Sequence, residues 1–183
     1  MHIYYMQNAN VYTSLENREF DILAKRRFMK KTVRPGWDEY WLNIMDSVGK
    51  RATCPRGMFG CVIVRQNVIL STGYVGAPKG APQCDEIGCL MKEVKHGDGH
   101  TSEHCKRTVH AEANAILQAA KNGVRIADAV LYCGMCPCRD CAMLIVNSGI
   151  REVIVRKDYH ESDDTKKMFE DAGVSLRILA KAE

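Results

Sequence analysis

From residue 37 onward, hydrophobic positions recur with helical or strand period along most of this chain. Over 37–48, Trp41, Leu42, Ile44, Met45 and Val48 make the broad apolar stripe of a core helix, and Asp38 and Glu39 stand where the positive end of a helix favours carboxylates. Two β-branched runs follow, Phe59 to Arg65 and Val68 to Gly73, and the polar pair Gln66-Asn67 between them predicts a hairpin. From His110 helices and strands alternate. Ala111 to Asn122 reads as an alanine-rich helix stopped by Gly123, Ala129 to Cys133 as a strand, and Cys138 to Asn147 as an apolar helix ending before Gly149. Glu152 to Arg156 is a strand, Asp163 to Ala172 a helix capped by Ser162, and Val174 to Leu179 a last strand. This order, with short links, predicts right-handed crossovers and a sheet that is at least partly parallel.

Two stretches break the pattern. Gly73-Tyr74-Val75-Gly76-Ala77-Pro78-Lys79-Gly80 opens a loop running to about Thr108, and a structureless connection of that length is usually functional or pinned by something. Residues 1–33 form a basic extension. Its 14–31 part has a helical look, with Lys25, Arg26, Arg27, Lys30 and Lys31 among scattered apolar residues, and reads as a solvated helix ahead of a nucleic-acid arm.

Composition narrows the class. A chain of 183 residues, 46% hydrophobic, is long enough for one domain, here 34–183, to bury a core without disulfide staples. The formal charge of +4 suits a small phosphorylated substrate as well as nucleic acid. Against nucleic acid, the domain lacks a basic stripe interleaved with aromatics. Nine cysteines, an odd number, and no secretory hydrophobic segment at the start favour thiol and metal chemistry in a reducing, cytoplasmic setting. No apolar run approaches the roughly 20 residues of a membrane span.

The chemistry concentrates in His110-Ala111-Glu112 and, downstream, Pro137-Cys138-Arg139-Asp140-Cys141. One imidazole and two thiolates from His110, Cys138 and Cys141 give Zn2+ three protein ligands and leave a fourth position for water, as a catalytic zinc requires. Glu112 is then free for proton transfer, the arrangement of zinc deaminases. Residues at two-residue spacing do not share a helix face, so His110 and Glu112 belong to the opening turn of their helix. Cys138 and Cys141 fall on one face of a first turn, with Pro137 suited to the helix start. A closed four-thiolate site from Cys133, Cys136, Cys138 and Cys141 is the competing reading, and it leaves His110 and Glu112 unexplained. In the long loop Cys84, Cys89, His96, His100, His104 and Cys105 are six further donors. Either a second, structural zinc pins the loop, with Cys84, Cys89, His104 and Cys105 the preferred four, or the cysteines are small buried hydrophobes.

Over roughly 34–177 the chain resembles the deoxycytidylate (dCMP) deaminase family of the cytidine deaminase superfamily. The resemblance rests on Trp37-Asp38-Glu39-Tyr40, Cys54-Pro55-Arg56, Gly60-Cys61-Val62-Ile63-Val64, Gly73-Tyr74-Val75-Gly76, the run from His104 to Glu112, Pro137 to Cys141, and Tyr159-His160-Glu161-Ser162-Asp163. It implies an α/β fold, a three-layer α/β/α arrangement around a mixed five-stranded sheet. It also implies zinc at His110, Cys138 and Cys141, Glu112 as proton shuttle, and conversion of dCMP to dUMP with release of ammonia, supplying thymidylate synthesis. Homo-oligomers, often hexamers, and in many members control by dCTP and dTTP with Mg2+ belong to the same resemblance. Three departures stand out. Val75 replaces an asparagine, which removes a polar nucleotide contact; Cys61 replaces an alanine of the segment lining the pyrimidine pocket; Cys133 and Cys136 replace non-cysteine residues. Arg56, Lys106 and Arg107 are candidate phosphate partners, Gly60, Cys61 and Tyr74 candidate pocket residues, and Tyr159 a candidate cover for the sugar. Deamination of another cytosine nucleotide or of single-stranded nucleic acid, and a non-catalytic zinc or thiol-cluster role, are the alternatives.

Overall fold

Strand alternation splits the core into two layers. β1 (Gly60–Arg65) and β2 (Val68–Tyr74) pair antiparallel, and Gln66 and Asn67 both take positive φ, the backbone of a tight two-residue hairpin turn. On its other side β1 pairs antiparallel with β5 (Val130–Met135), which runs parallel to β6 (Glu152–Lys157), itself parallel to β7 (Ser175–Ile178). The mixed sheet is five-stranded, in the order β2-β1-β5-β6-β7. Val62, Val64, Val130, Tyr132 and Ile154 face one side and pack on Trp41, Leu42 and Met45 of α1 (Trp37–Gly49). Cys61, Ile63, Leu131, Cys133, Val153 and Val155 face the other, where they meet α3 (Ala111–Lys121), α4 (Arg139–Asn147) and α5 (Asp163–Ala172) through Ala115, Ala142, Ile145 and Phe169. Burial on both faces explains why these strands read as continuous apolar runs.

The computed structural model describes residues 33–95, 99, 101–159 and 162–179. The basic extension, apart from Val33, lies outside the described residues, as do His96, His100, His160 and Glu161. All the elements named belong to the unit 36–183. None of its helices is long and apolar enough to cross a membrane among the described residues.

The stretch expected as a structureless loop is instead a folded excursion. Gly76 and Val109 exchange backbone hydrogen bonds of 3.3 and 2.8 Å and close its base. Beyond that neck lie α2 (Cys84–Ile87) and an antiparallel hairpin of β3 (Met91–Lys95) and β4 (Thr101–Cys105). Its strands are mostly exposed, and a two-stranded hairpin with so little apolar burial is marginal by itself. Periodicity did not reveal it because neither strand buries a face.

One end cap differs from expectation. Ser162 holds the N-cap position of α5 without a side-chain cap, since its hydroxyl donates to Asp158 Oδ1 at 2.7 Å. Pro137 stands at the start of α4, one residue before its N-cap, and its carbonyl accepts a 3.0 Å bond from the buried Thr165 hydroxyl.

Candidate metal centre and active site

Two helices begin at the same place. His110 is the N-cap of α3 (φ −69°, ψ 155°) and Cys138 the N-cap of α4 (φ −67°, ψ 165°). An extended N-cap turns its side chain back over the opening turn, and neither residue spends it on a capping hydrogen bond. Glu112 is the second residue of α3 and Cys141 the third of α4, so four side chains converge from two first turns. His110 Nδ1 lies 3.4 Å from Cys138 Sγ and 3.5 Å from Cys141 Sγ. Tetrahedral zinc with bonds of about 2.05 Å to nitrogen and about 2.3 Å to sulfur needs roughly 3.6 Å between them, so the donors are spaced as that ion requires. Glu112 Oε2 is 3.9 Å from Cys141 Sγ, beside the triad.

Electrostatics suit a dication. A hydrogen bond from the Cys141 thiol, helped by His110, brings Cys138 down to about 4, while Cys141, keeping the proton of the pair, is pushed up. The bond to Cys138 lifts His110 to about 8. The two helix N-termini add positive potential that favours thiolates. Burial raises the Glu112 carboxyl above its ordinary range, a bias toward holding a proton.

The triad and Glu112 lie in a cavity of about 820 Å3, large enough for a nucleotide. Arg56, Gly60 and Tyr159 line it, as do Phe59, Asp140 and Leu144, which sequence reasoning missed. Cys61 and Tyr74 do not. Cys61 is sealed in the core on the α3 side of β1, and Tyr74 belongs to the end of β2, its carbonyl accepting a bond from Asn114 Nδ2. Gly60 lines the cavity with its backbone; a Cβ there would lie 2.6 Å from Gly49 N, so its missing side chain serves the packing of α1. Val75 is buried and apolar in the wall, with no side-chain hydrogen bond to offer a nucleotide.

The four-thiolate reading of residues 133–141 is overturned. Only Cys138 and Cys141 join His110 in the donor cluster. Cys133 sits in β5 with its thiol donating to Met135 O at 3.2 Å, and burial pushes Cys136 up to about 11.

A second cluster of sulfurs lies within the excursion. Cys84, Cys89 and Cys105 hold their sulfurs within 4.8 Å of one another, and Cys84 and Cys105 stand 3.8 Å apart, the separation of about 3.8 Å expected on tetrahedral zinc. Burial raises Cys105, but backbone hydrogen bonds at Arg107 and Leu90 outweigh it and hold the thiol near about 7. His104 is not among them. His104 lines the cavity, as its neighbours Glu103 and Cys105 also do, and bonds Ser102 Oγ at 2.7 Å. Cys54, buried beside this cluster, stands outside the group of three. Asp85 N bonds Thr53 O at 3.2 Å and ties its segment to α2.

Residues 35–157 match the family model for the cytidine and deoxycytidylate deaminase zinc-binding region. The chain belongs to this family. Zn2+ is therefore its metal, and the donor set at His110, Cys138 and Cys141 has the right chemistry for it. Among deaminase relatives, the deoxycytidylate deaminase of Schizosaccharomyces pombe is 38% identical over 157 residues, 86% of this chain and 47% of that protein. The deoxycytidylate deaminase of Mycobacterium phage D29 is 37% identical over 127 residues, 68% of this chain and 98% of that protein. The chain spans about half the length of the yeast relatives it matches. The dCMP deaminase of cyanophage S-TIM5, solved in complex with dCMP and dUMP, superposes with a TM-score of 0.64 at 26% identity, covering 80% of this chain and 98% of that one. The three-layer fold around a mixed five-stranded sheet is that of this deaminase family.

Proposed function

We propose that this deaminase converts dCMP to dUMP, taking up one water and releasing one ammonia, and so supplies dUMP for thymidylate synthesis. The observation that carries the reading is the convergence of His110, Cys138 and Cys141 beside Glu112 at one end of a nucleotide-sized cavity. His110, Cys138 and Cys141 would hold the zinc, and that ion would supply a water acidic enough to act as a nucleophile at neutral pH. Glu112, made more basic by burial, acts as the carboxylate: it accepts a proton from the attacking water and delivers it to N3 of the ring. It then takes the proton of the hydroxyl now on C4 and passes it to the amino group, so the C4–N bond breaks, ammonia leaves and the C4 carbonyl of dUMP forms. Phe59 and Leu144 keep part of the wall apolar around the base.

The structural zinc belongs to the same proposal, with Cys84, Cys89 and Cys105 as ligands and Cys54, in place of His104, as the fourth. Nine free thiols, several of them gathered at metal-binding distances, fit the reducing cytoplasm. Leu117 and Met143 are exposed on α3 and α4 and suit a homo-oligomeric contact.

Ammonia release from dCMP, dCTP, deoxycytidine and CMP, measured alongside zinc per chain, tests the reading. Glu112→Gln is expected to keep its zinc and lose at least about 10²-fold in turnover, since a shuttle is not a ligand. No ammonia from any of these compounds, or an active Glu112→Gln, would overturn it.

A further inference from the structure

We infer that His104, seated by Ser102 on the β3–β4 hairpin, recognises the 5′-phosphate of the nucleotide; this rests on reading the cavity as a cytosine-nucleotide site. Cross-strand pairing sets Val94 opposite Ser102 and Lys92 opposite His104, and residues opposite one another share a face. Val94, Ser102 and His104 all line the cavity that holds the zinc triad. The hairpin thus gives Cys105 to the thiol cluster, while His104, outside that cluster, lines the cavity.

Charge is sorted along the cavity. Apart from His110 at the metal, its basic side chains are Arg56, His104 and Lys106, all on the hairpin wall or tied to it: Arg56 Nη1 donates to Glu103 O at 3.3 Å, and Lys106 N to Leu90 O at 2.9 Å. Glu112 and Asp140 lie toward the metal, and the exposed Glu103 is the acid on the hairpin wall. A nucleoside monophosphate carries the matching polarity, a neutral base to be hydrolysed at one end and a dianion at the other.

Of the three basic side chains, His104 is the best prepared. Arg56 and Lys106 are exposed, whereas His104 is half-buried and its ring is oriented by the 2.7 Å bond between Ser102 Oγ and Nε2. With Nε2 engaged by Ser102, Nδ1 is the ring nitrogen left to donate to a phosphate oxygen. A ring already held in place loses little entropy on binding.

The test uses the zinc-loaded Glu112→Gln protein, which binds without turning over, and measures dCMP and deoxycytidine by calorimetry with and without His104→Ala. The preference for dCMP over deoxycytidine is expected to fall about ten- to hundredfold, as for loss of a charge-assisted hydrogen bond, with zinc per chain unchanged. His104→Gln, which keeps a neutral donor, should recover part of it. An unchanged preference, or loss of a zinc, would overturn the assignment. Binding of dCMP through His104 without ammonia release by the parent would refute deamination and leave this inference standing; turnover of dCMP with a preference indifferent to His104 would do the reverse. Failure to bind dCMP at all would refute both.

Discussion

Replacing Gly73 by alanine inserts one methyl group between β2 and α3, the helix whose opening turn carries Glu112 and whose N-cap is His110. A Cβ at this position would lie 2.9 Å from Ala115 Cα and nearer still to the Ala111 carbonyl oxygen and the Ala115 nitrogen. These are helix backbone atoms, with no rotamer to give way. Non-bonded contacts relax only at about 3.5 Å, and the oxygen and nitrogen contacts, shorter than 2.9 Å, set the shift, so α3 must retreat from the sheet by about 1 Å. The 3.4 and 3.5 Å separations from His110 Nδ1 to the two sulfurs would then be lost, because Cys138 and Cys141 belong to a different helix that does not move with it. A displacement of about 1 Å costs on the order of 10²-fold in rate, and overpacking of this kind about 1–3 kcal/mol. Gly73→Ala should therefore fold with a Tm lower by about 3–10 °C, retain less than one zinc at the His110 site after dialysis, and release ammonia from dCMP about 10²-fold more slowly. Elemental analysis, a melting curve and the ammonia assay read the three quantities on one preparation. Full zinc and turnover within threefold of the parent would refute the argument that this glycine sets the helix position.

Two further outcomes follow from other parts of the fold. Cys84→Ser should remove one zinc per chain and open residues 77–108 to limited proteolysis, because the exposed hairpin has little apolar burial to hold it; an equally protected variant would show that the thiols are not its anchor. Asp38 accepts bonds from Tyr132 and, bidentately, from Arg177, which together overcome the upward push of burial and hold its carboxyl below 3.8. A depressed folded value means that its contribution is present above 3.8 and fades as pH falls through the folded value, so the stability gap between parent and Asp38→Asn should be about 1–2 kcal/mol at neutral pH, after allowance for partial solvent screening, and should close in acid. A gap independent of pH in denaturant melts would contradict this assignment.

The sheet and its helices were legible because each element buries a face. The alternation of Cys61 and Ile63 against Val62 and Val64, or of Val153 and Val155 against Ile154, is the two-sided burial of central strands, visible as uninterrupted apolar runs. The β3–β4 hairpin buries almost nothing, so 91–105 carried no period to read. Ser162 was misread because Asp158, four residues back, draws its hydroxyl away from the helix end.

By itself the sequence determined what depends on neighbours in the chain: the periods of strands and helices, and two ligand-bearing motifs short enough to sit in one helical turn each. Glu112 lies beside His110, and Cys141 beside Cys138, whatever the rest of the chain does. The tertiary structure alone decided which distant donors share a centre. It joined the two helix openings, separated Cys133 and Cys136 from the triad, gathered Cys84, Cys89 and Cys105 with Cys54 close by, and turned His104 to the cavity. The physical reason is that metal-centre geometry is a matter of a few tenths of an ångström between side chains far apart in sequence, set by how helices and strands pack. Spacing along the chain records such distances only when both ligands belong to the same turn.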